Sequence, residues 1–218
     1  MAGYFSKFPK LFFSSNNNRT IDRITNIMAK FSLNESIKEN TAVYYEYDIV
    51  EGDTPEIIAH KLYGSAQRHW VVLMMNNIVD PQYDWPLTTT TLNNYIDAKY
   101  SNTQYANSNT SGAGLSYATS NTHSYYKIIT TTIPNGSKII KKYQVDANTY
   151  ANVTVTTSTL TLQDNNVITI ATSKTTKTYY EHEVEENESK REIKLLKPEF
   201  ATQLEDEIQR VFRNDNFV

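Results

Sequence analysis

The pentapeptide Gly52-Asp53-Thr54-Pro55-Glu56 constrains this chain more than any other segment. Gly52 permits a tight turn, Asp53 or Thr54 can cap the amides that follow, and Pro55 suits the first helical position. Glu56 places negative charge beside the positive end of the helix. A helix is therefore expected over 55–63, with Ile58 and Leu62 one turn apart and Gly64 ending it. The run before it, residues 42–50 (AVYYEYDIV), is β-branched and aromatic and reads as a strand. After it, Ser65 caps a second helix on which Trp70, Leu73, Met74 and Asn77 share a face, and Asp80-Pro81 stops further helix.

Outside this segment the patterning changes twice. Ile24, Ile27, Met28 and Phe31 fall at helical spacing and predict a short helix, with Asn18 or Thr20 as cap. A further helix over 88–100 carries Leu92, Tyr95 and Ile96, and residues 101–124 read as a flexible Ser/Asn/Thr/Gly-rich loop. From 125 to 180 the period becomes two. YYKIITTTIP, KIIKKYQV, VTVTTSTLTL and NVITIATS read as strands, with hairpin turns at Asn135-Gly136 and Asp164-Asn165-Asn166. Residues 181–188 are acidic and expected to be solvated, 191–196 form a short strand, and Pro198 opens a final helix. There Phe200, Leu204, Ile208, Val211 and Phe212 make one apolar stripe.

Composition narrows the function. A net charge of −3 without any basic run lacks the footprint of a nucleic-acid binder. The absence of cysteine removes disulfide scaffolds, thiol catalysis and Cys-based zinc sites. Residues 1–15 hold no uninterrupted apolar stretch, so neither a signal peptide nor a membrane span is expected there. Their aromatics read instead as a docking arm, and the 16 tyrosines of the chain hint at protein contact surfaces.

Two stretches resemble a known family. The run from Tyr47 to Leu87 is similar to the LysM pattern of strand, Gly-Asp-Thr, helix and helix ending in Asn, through Gly52, Asp53, Thr54, Tyr63, Gly64, Trp70 and Asn76. Leu62-Tyr63-Gly64, His69-Trp70, Leu73-Met74 and Asn76, with Asp80-Pro81 and Asp84-Trp85-Pro86-Leu87, more narrowly resemble the baseplate wedge family of contractile-tailed phages, of the gene-product-fifty-three type. ENESKREIKLLKPEF, from Glu186 to Phe200, resembles the C-terminal signature of the same family. The resemblance implies a non-enzymatic virion protein of the tail baseplate, assembled in the host cytoplasm and needing no cofactor or metal. Its partners would be other wedge proteins, including wedge-core and sheath-initiator-type subunits, and it would link adjacent wedges around the hub. Neither nucleic acid nor membrane is an expected partner.

The expected fold is α+β: a LysM-like βααβ core, an inserted, mostly antiparallel β region, and a C-terminal amphipathic helix. An ordinary LysM domain closes with a strand soon after its second helix, but Asn77 leads into DPQYDWPLTTTT. The alternation in 192–198 suggests that the closing strand lies there, pairing with 45–50, so that the core is discontinuous. The expected segments are an arm and short helix (1–41), the core (42–100, closing strand 191–197), a flexible loop and threonine-rich β insertion (101–180), and an acidic linker, strand and helix (181–218).

Candidate sites weigh toward contact surfaces. Asp53, Glu56, Asp80 and Asp84 have the residue type for a glycan hydrolase, yet capping and turn roles already account for Asp53, Glu56 and Asp80. His60 and His69 lack metal-ligand spacing, and Ser111-Gly112 lacks the strand-elbow-helix context of a nucleophile. The alternative reading is a peptidoglycan- or chitin-binding module with its groove between 52–54 and 77–81. Trp70 is expected in the core, and Trp85, beside Tyr83, divides evenly between core and docking anchor. The expected interaction residues are Tyr4, Phe5, Phe8, Leu11, Phe12 and Phe13 of the arm, Tyr83 and Trp85, and the stripe Phe200, Leu204, Ile208, Val211 and Phe212. On this reading, deleting 1–15 leaves a folded monomer that assembles poorly.

Overall fold

The computed structural model describes residues 8–14, 21–29, 33–134, 136–163 and 166–214. In chain order, strands β1 (Lys10–Phe13) and β2 (Asp22–Thr25) precede the one-turn helix α1 (Glu35–Lys38) and strand β3 (Tyr44–Asp48). Helices α2 (Pro55–Tyr63), α3 (His69–Met75), α4 (Pro81–Asp84), α5 (Thr89–Tyr100) and α6 (Ala113–Ser120) follow. Then come strands β4 (Thr122–Thr132) and β5 (Lys138–Val145), helix α7 (Ala147–Asn152), and strands β6 (Thr156–Thr161) and β7 (Val167–Thr178). Helix α8 (Tyr179–Glu188), strand β8 (Glu192–Leu196) and helix α9 (Pro198–Asn214) complete the order. The fold is α+β, and its residues form two compact units: Met1–Thr88 with Ser189–Val218, and Thr89–Glu188.

The first unit is closed by strands far apart in sequence. β3 pairs with β8 antiparallel, from Tyr44 opposite Leu196 to Asp48 opposite Glu192. Helices α2 and α3 pack on this ribbon, and Ile49, Ile58, Ala59, Val72, Trp85, Ile193 and Leu195 form one core cluster. Leu33, Tyr44, Val71, Met75, Leu196 and Ala201 form a second. The start of α2 follows the sequence chemistry: Thr54 Oγ1 accepts from Ile57 N at 3.3 Å, and Pro55 is the first helical residue. Gly64 ends the helix at φ 69°, a left-handed conformation that glycine adopts without steric cost.

Four sequence expectations are corrected in this unit. Residues 22–25 form strand rather than helix, because β1 offers a pairing partner whereas no core accepts the apolar face of a helix; Ile27 and Met28 stay 64% and 78% exposed. (Asn18, Thr20 and Phe31 lie outside the described residues.) Ser65 makes no side-chain capping bond, and a 3-10 turn, Ala66–Arg68, leads into α3. The buried face of α3 is Val71, Val72 and Met75, with Trp70, Leu73 and Met74 half-buried and Asn77 left-handed beyond the helix end. Asp80 does not stop helix; its carboxylate accepts from Gln82 N at 3.0 Å and caps α4.

The second unit is a four-stranded antiparallel sheet in the order β5-β4-β7-β6, with α5, α6 and α8 as a helical group and α7 in the connection from β5 to β6. The expected strands are present, and Gly136 adopts φ 83° in the turn between β4 and β5. Asn135, Asp164 and Asn165 lie outside the described residues. Three helices were not expected. α6 lies inside the supposed flexible loop, and the Asp97 carboxylate holds its first turn, accepting from Gly112 N at 2.8 Å and Leu115 N at 3.1 Å. α7 is capped by Asp146, which accepts from Thr149 N at 2.9 Å. The acidic run is α8, and its Glu183 is buried, accepting from Lys99 Nζ and Tyr100 OH at 2.7 Å each. One solvated charge run thus becomes a packed helix because its inward carboxylate meets a cation and a phenol.

Candidate docking surface

The β1–β2 hairpin exposes more large apolar side chains than it can bury. Leu11 lies opposite Ile24 and Phe12 opposite Arg23, so both faces of the two-stranded ribbon carry apolar groups. Phe12 is 79% exposed and Phe13 53%, and Ile21, Ile24, Ile27 and Met28 are exposed as well. An isolated hairpin is marginal in water, and this many exposed apolar groups make the ribbon a candidate contact surface.

The hairpin is anchored at its base. Phe8 is buried with Ile208 and Phe212 of α9, its ring centroid 5.1 Å from that of Phe212, and Ala29, Trp70 and Leu204 pack around them. Asn26 N donates to Pro9 O at 2.8 Å, closing the ribbon at that end. The C-terminal stripe therefore faces inward. Ile208 and Phe212 are core, Phe200 and Leu204 are half-buried on the second cluster, and Val211 is 40% exposed. Arg68 Nε donates to Glu205 Oε1 at 2.8 Å, fixing α9 to the turn before α3. Of the predicted arm residues, Tyr4 and Phe5 lie outside the described residues.

A second exposed surface gathers around the 52–54 turn. Trp85 is buried, and its indole N–H donates to Asp53 O at 2.9 Å, tying the 80s segment to that turn. The ring serves the core and is not free to act as a docking anchor. Its neighbour Tyr83 is 62% exposed, and Val50, Ile57 and Val79 are exposed too. Lys190 Nζ donates to Tyr83 O at 2.7 Å, which holds the backbone of α4.

Electrostatics stiffen the same turn. Asp53 accepts from Lys61 Nζ and from Tyr47 OH, each at 2.7 Å. The Lys61 bond first, and the Tyr47 bond second, hold its carboxyl below the ordinary carboxylate range. The Asp53 bond in turn raises the Tyr47 phenol. Asp53 is thus a strut rather than the helix cap, which is Thr54. Tyr63 donates to Leu196 O at 2.7 Å, and burial pushes its phenol up. Among the described residues no cluster of three or more His, Asp or Glu is placed to hold a metal ion, and no helix is long and apolar enough to cross a membrane.

Residues 3–210 match the base plate wedge protein 53 family. The chain belongs to that family. The bounds of the match enclose the threonine-rich sheet as well as the two stretches that carry the sequence resemblance. Membership makes the chain a structural component of a phage tail baseplate. No curated protein matches it significantly. Sequence reasoning missed Ile21, Ile24, Ile27 and Met28 as surface groups, because their spacing fits a helix face as well as a strand that finds no core.

Proposed function

We propose that this wedge protein joins neighbouring baseplate chains, with the β1–β2 hairpin as its principal grip. The observation that carries the reading is the hairpin itself: Phe12 on the ribbon is 79% exposed and Met28 just beyond it 78%, and Phe8 fastens the ribbon to α9. A grip that is anchored at one end loses little conformational freedom on docking, which favours affinity. The residues around Tyr83 and Val79 offer a second contact of the same kind. Several such contacts engaged together give the avidity that a ring of wedges around a hub needs.

The LysM-like reading of the β3–α2–α3–β8 core belongs to this proposal. Its chain order and its Gly52–Thr54 turn support it, and the burial of Trp85 removes the most obvious sugar-stacking ring from the groove. The scaffold then serves protein contacts rather than catalysis or glycan binding. The test replaces Phe12 and Met28 together by Asp and co-expresses the chain with the other wedge proteins. A normally folded variant that no longer co-elutes with wedge complexes is the expected result. Normal co-elution would overturn the role of the hairpin.

A further inference from the structure

β4 carries one residue more than its partner where it begins. Thr122 lies opposite Thr178 and Ser124 opposite Lys177, so His123 is the extra residue of a bulge. A bulge re-aims the side chain it inserts, and α8 begins directly after β7, at Tyr179. The His123 ring stacks on His182 of α8, with centroids 4.0 Å apart and planes 9° from parallel. Tyr179 meets the same ring edge-on at 5.1 Å, and His123 Nδ1 lies 2.6 Å from Oγ of buried Ser124. His123 is nevertheless exposed enough for solvent protons to reach it.

Two imidazoles in this arrangement pack well only while at least one is neutral, because two unit charges about 4 Å apart repel strongly outside bulk water. The carboxylates nearby are already engaged. Lys99 of α5 pairs with Glu183, and Lys177 of β7 pairs with Glu185. Glu181 closes the reciprocal bonds that start α8, accepting from Thr178 N at 2.8 Å while its own N–H donates to Thr178 Oγ1 at 3.1 Å. Desolvation, and then the charges of His182 and Lys177, hold the His123 ring below its ordinary value against the pull of Glu183, with Lys99 adding to the effect.

We propose that the His123–His182 stack is a proton-operated joint between the sheet and α8. Neutral rings seat the helix on the bulge, and charging both in mild acid parts them and frees α8, with the β4–β7 ladder intact. A base held below its ordinary value takes up its proton more readily once the contact opens. The contribution of the joint is therefore present above about 6.5, the unfolded imidazole value, and is lost as pH falls through the lower folded one. Glu183, whose burial is outweighed by the Lys99 and Tyr100 bonds, is held low and stays charged throughout this window. The other two histidines, His60 and His69, belong to the first unit.

Amide exchange in the full-length chain at pH 7.5 and 5.5, corrected for the intrinsic rate at each pH, reads the joint directly. Protection at Val184 and Glu185 is expected to fall at least tenfold at the lower pH, while Ile128 and Ile129 of the ladder keep theirs. His182→Phe leaves a flat ring on His123 without a second proton site, and α8 of that variant should stay protected at both pH values. In the wild-type chain the two rings should titrate in separate steps by proton resonance, a readout that needs no variant. Unchanged protection at Val184, or an equal loss in a folded His182→Phe chain, overturns the proposal. So does one titration step common to both rings. Loss of ladder protection together with that of α8 would mean that acid unfolds the whole unit, and it too counts against a joint. None of these outcomes depends on baseplate assembly, so the wedge reading stands or falls separately.

Discussion

The carboxamide of Asn76 takes both main-chain groups of Lys194, accepting from its N–H at 2.7 Å and donating to its C=O at 2.8 Å. Its amide nitrogen also donates to Val72 O at 2.8 Å. Lys194 lies opposite Glu46 in β8, with its N–H and C=O turned away from β3, so Asn76 stands where a third strand would pair. One side chain at the end of α3 thus couples the helix to a strand more than a hundred residues later.

Removing that coupling should be costly in a specific way. Asn76→Ala leaves the Lys194 amide and carbonyl without partners, a loss of about 1–3 kcal/mol. Asn76→Asp should lose more, because a carboxylate cannot donate and would face the Val72 and Lys194 carbonyl oxygens. Urea unfolding followed by tryptophan fluorescence reports on the right unit, since Trp70 and Trp85 both belong to it. An Asn76→Asp chain as stable as the wild type would refute the account.

The Asp53 strut predicts how stability varies in acid. Its carboxyl is held below its ordinary value by the Lys61 and Tyr47 bonds, so the folded chain releases this proton more readily than the unfolded one. The contribution is present above the unfolded carboxylate pKa, about 3.9, and is lost as pH falls through the lower folded value. Asp53→Asn should flatten the acid limb of a stability–pH curve measured between pH 6 and 2. An unchanged limb would show that other carboxylates carry it.

The first unit was the more legible in sequence, and the reason is local chemistry. Gly52, Thr54, Pro55 and Gly64 each specify a backbone conformation through contacts a few residues away, and α2 begins and ends where they say. The β3–β8 pairing is long-range, yet alternation and a terminal Pro198 mark its second strand. By contrast α6 and α8 depend on partners that no window contains. Asp97 caps α6 from the helix before it, and Glu183 is buried only because Lys99 and Tyr100 stand opposite. The hairpin was misread for a related reason: Ile24, Ile27 and Met28 have helical spacing, and what selects the strand is its pairing with β1. The inward turn of Phe8 and of the α9 stripe was not legible, because each finds its cover in the other, at the far end of the chain.

Gly114 predicts a steric limit on the helical group of the second unit. A Cβ there would overlap the Asp97 carbonyl oxygen and come within 2.7 Å of Ser101 N, both backbone atoms that cannot move aside alone. Gly114→Ala should force α5 and α6 apart, at about 1–3 kcal/mol or more. The same shift would withdraw Asp97 from the Gly112 and Leu115 amides. Faster amide exchange at Leu115 in the variant would register it, and wild-type exchange would count against the close approach.

Phe8 changes what truncation of the arm should do. The sequence suggests a detachable arm, but Phe8 is buried against Ile208 and Phe212, so its loss opens a cluster that α9 needs. Phe8→Ala should cost about 3–5 kcal/mol, the range for deleting a buried aromatic ring. Exposed Phe12 should tolerate Asp with little change in stability, because its ring contributes no comparable burial. Thermal unfolding separates the two roles, with Phe8→Ala lowering Tm and Phe12→Asp leaving it near the wild-type value. Deleting residues 1–15 would then behave like Phe8→Ala in the melt and like Phe12→Asp in assembly. A truncated chain with wild-type Tm would show that α9 holds its place without the arm, and that the grip is fastened elsewhere.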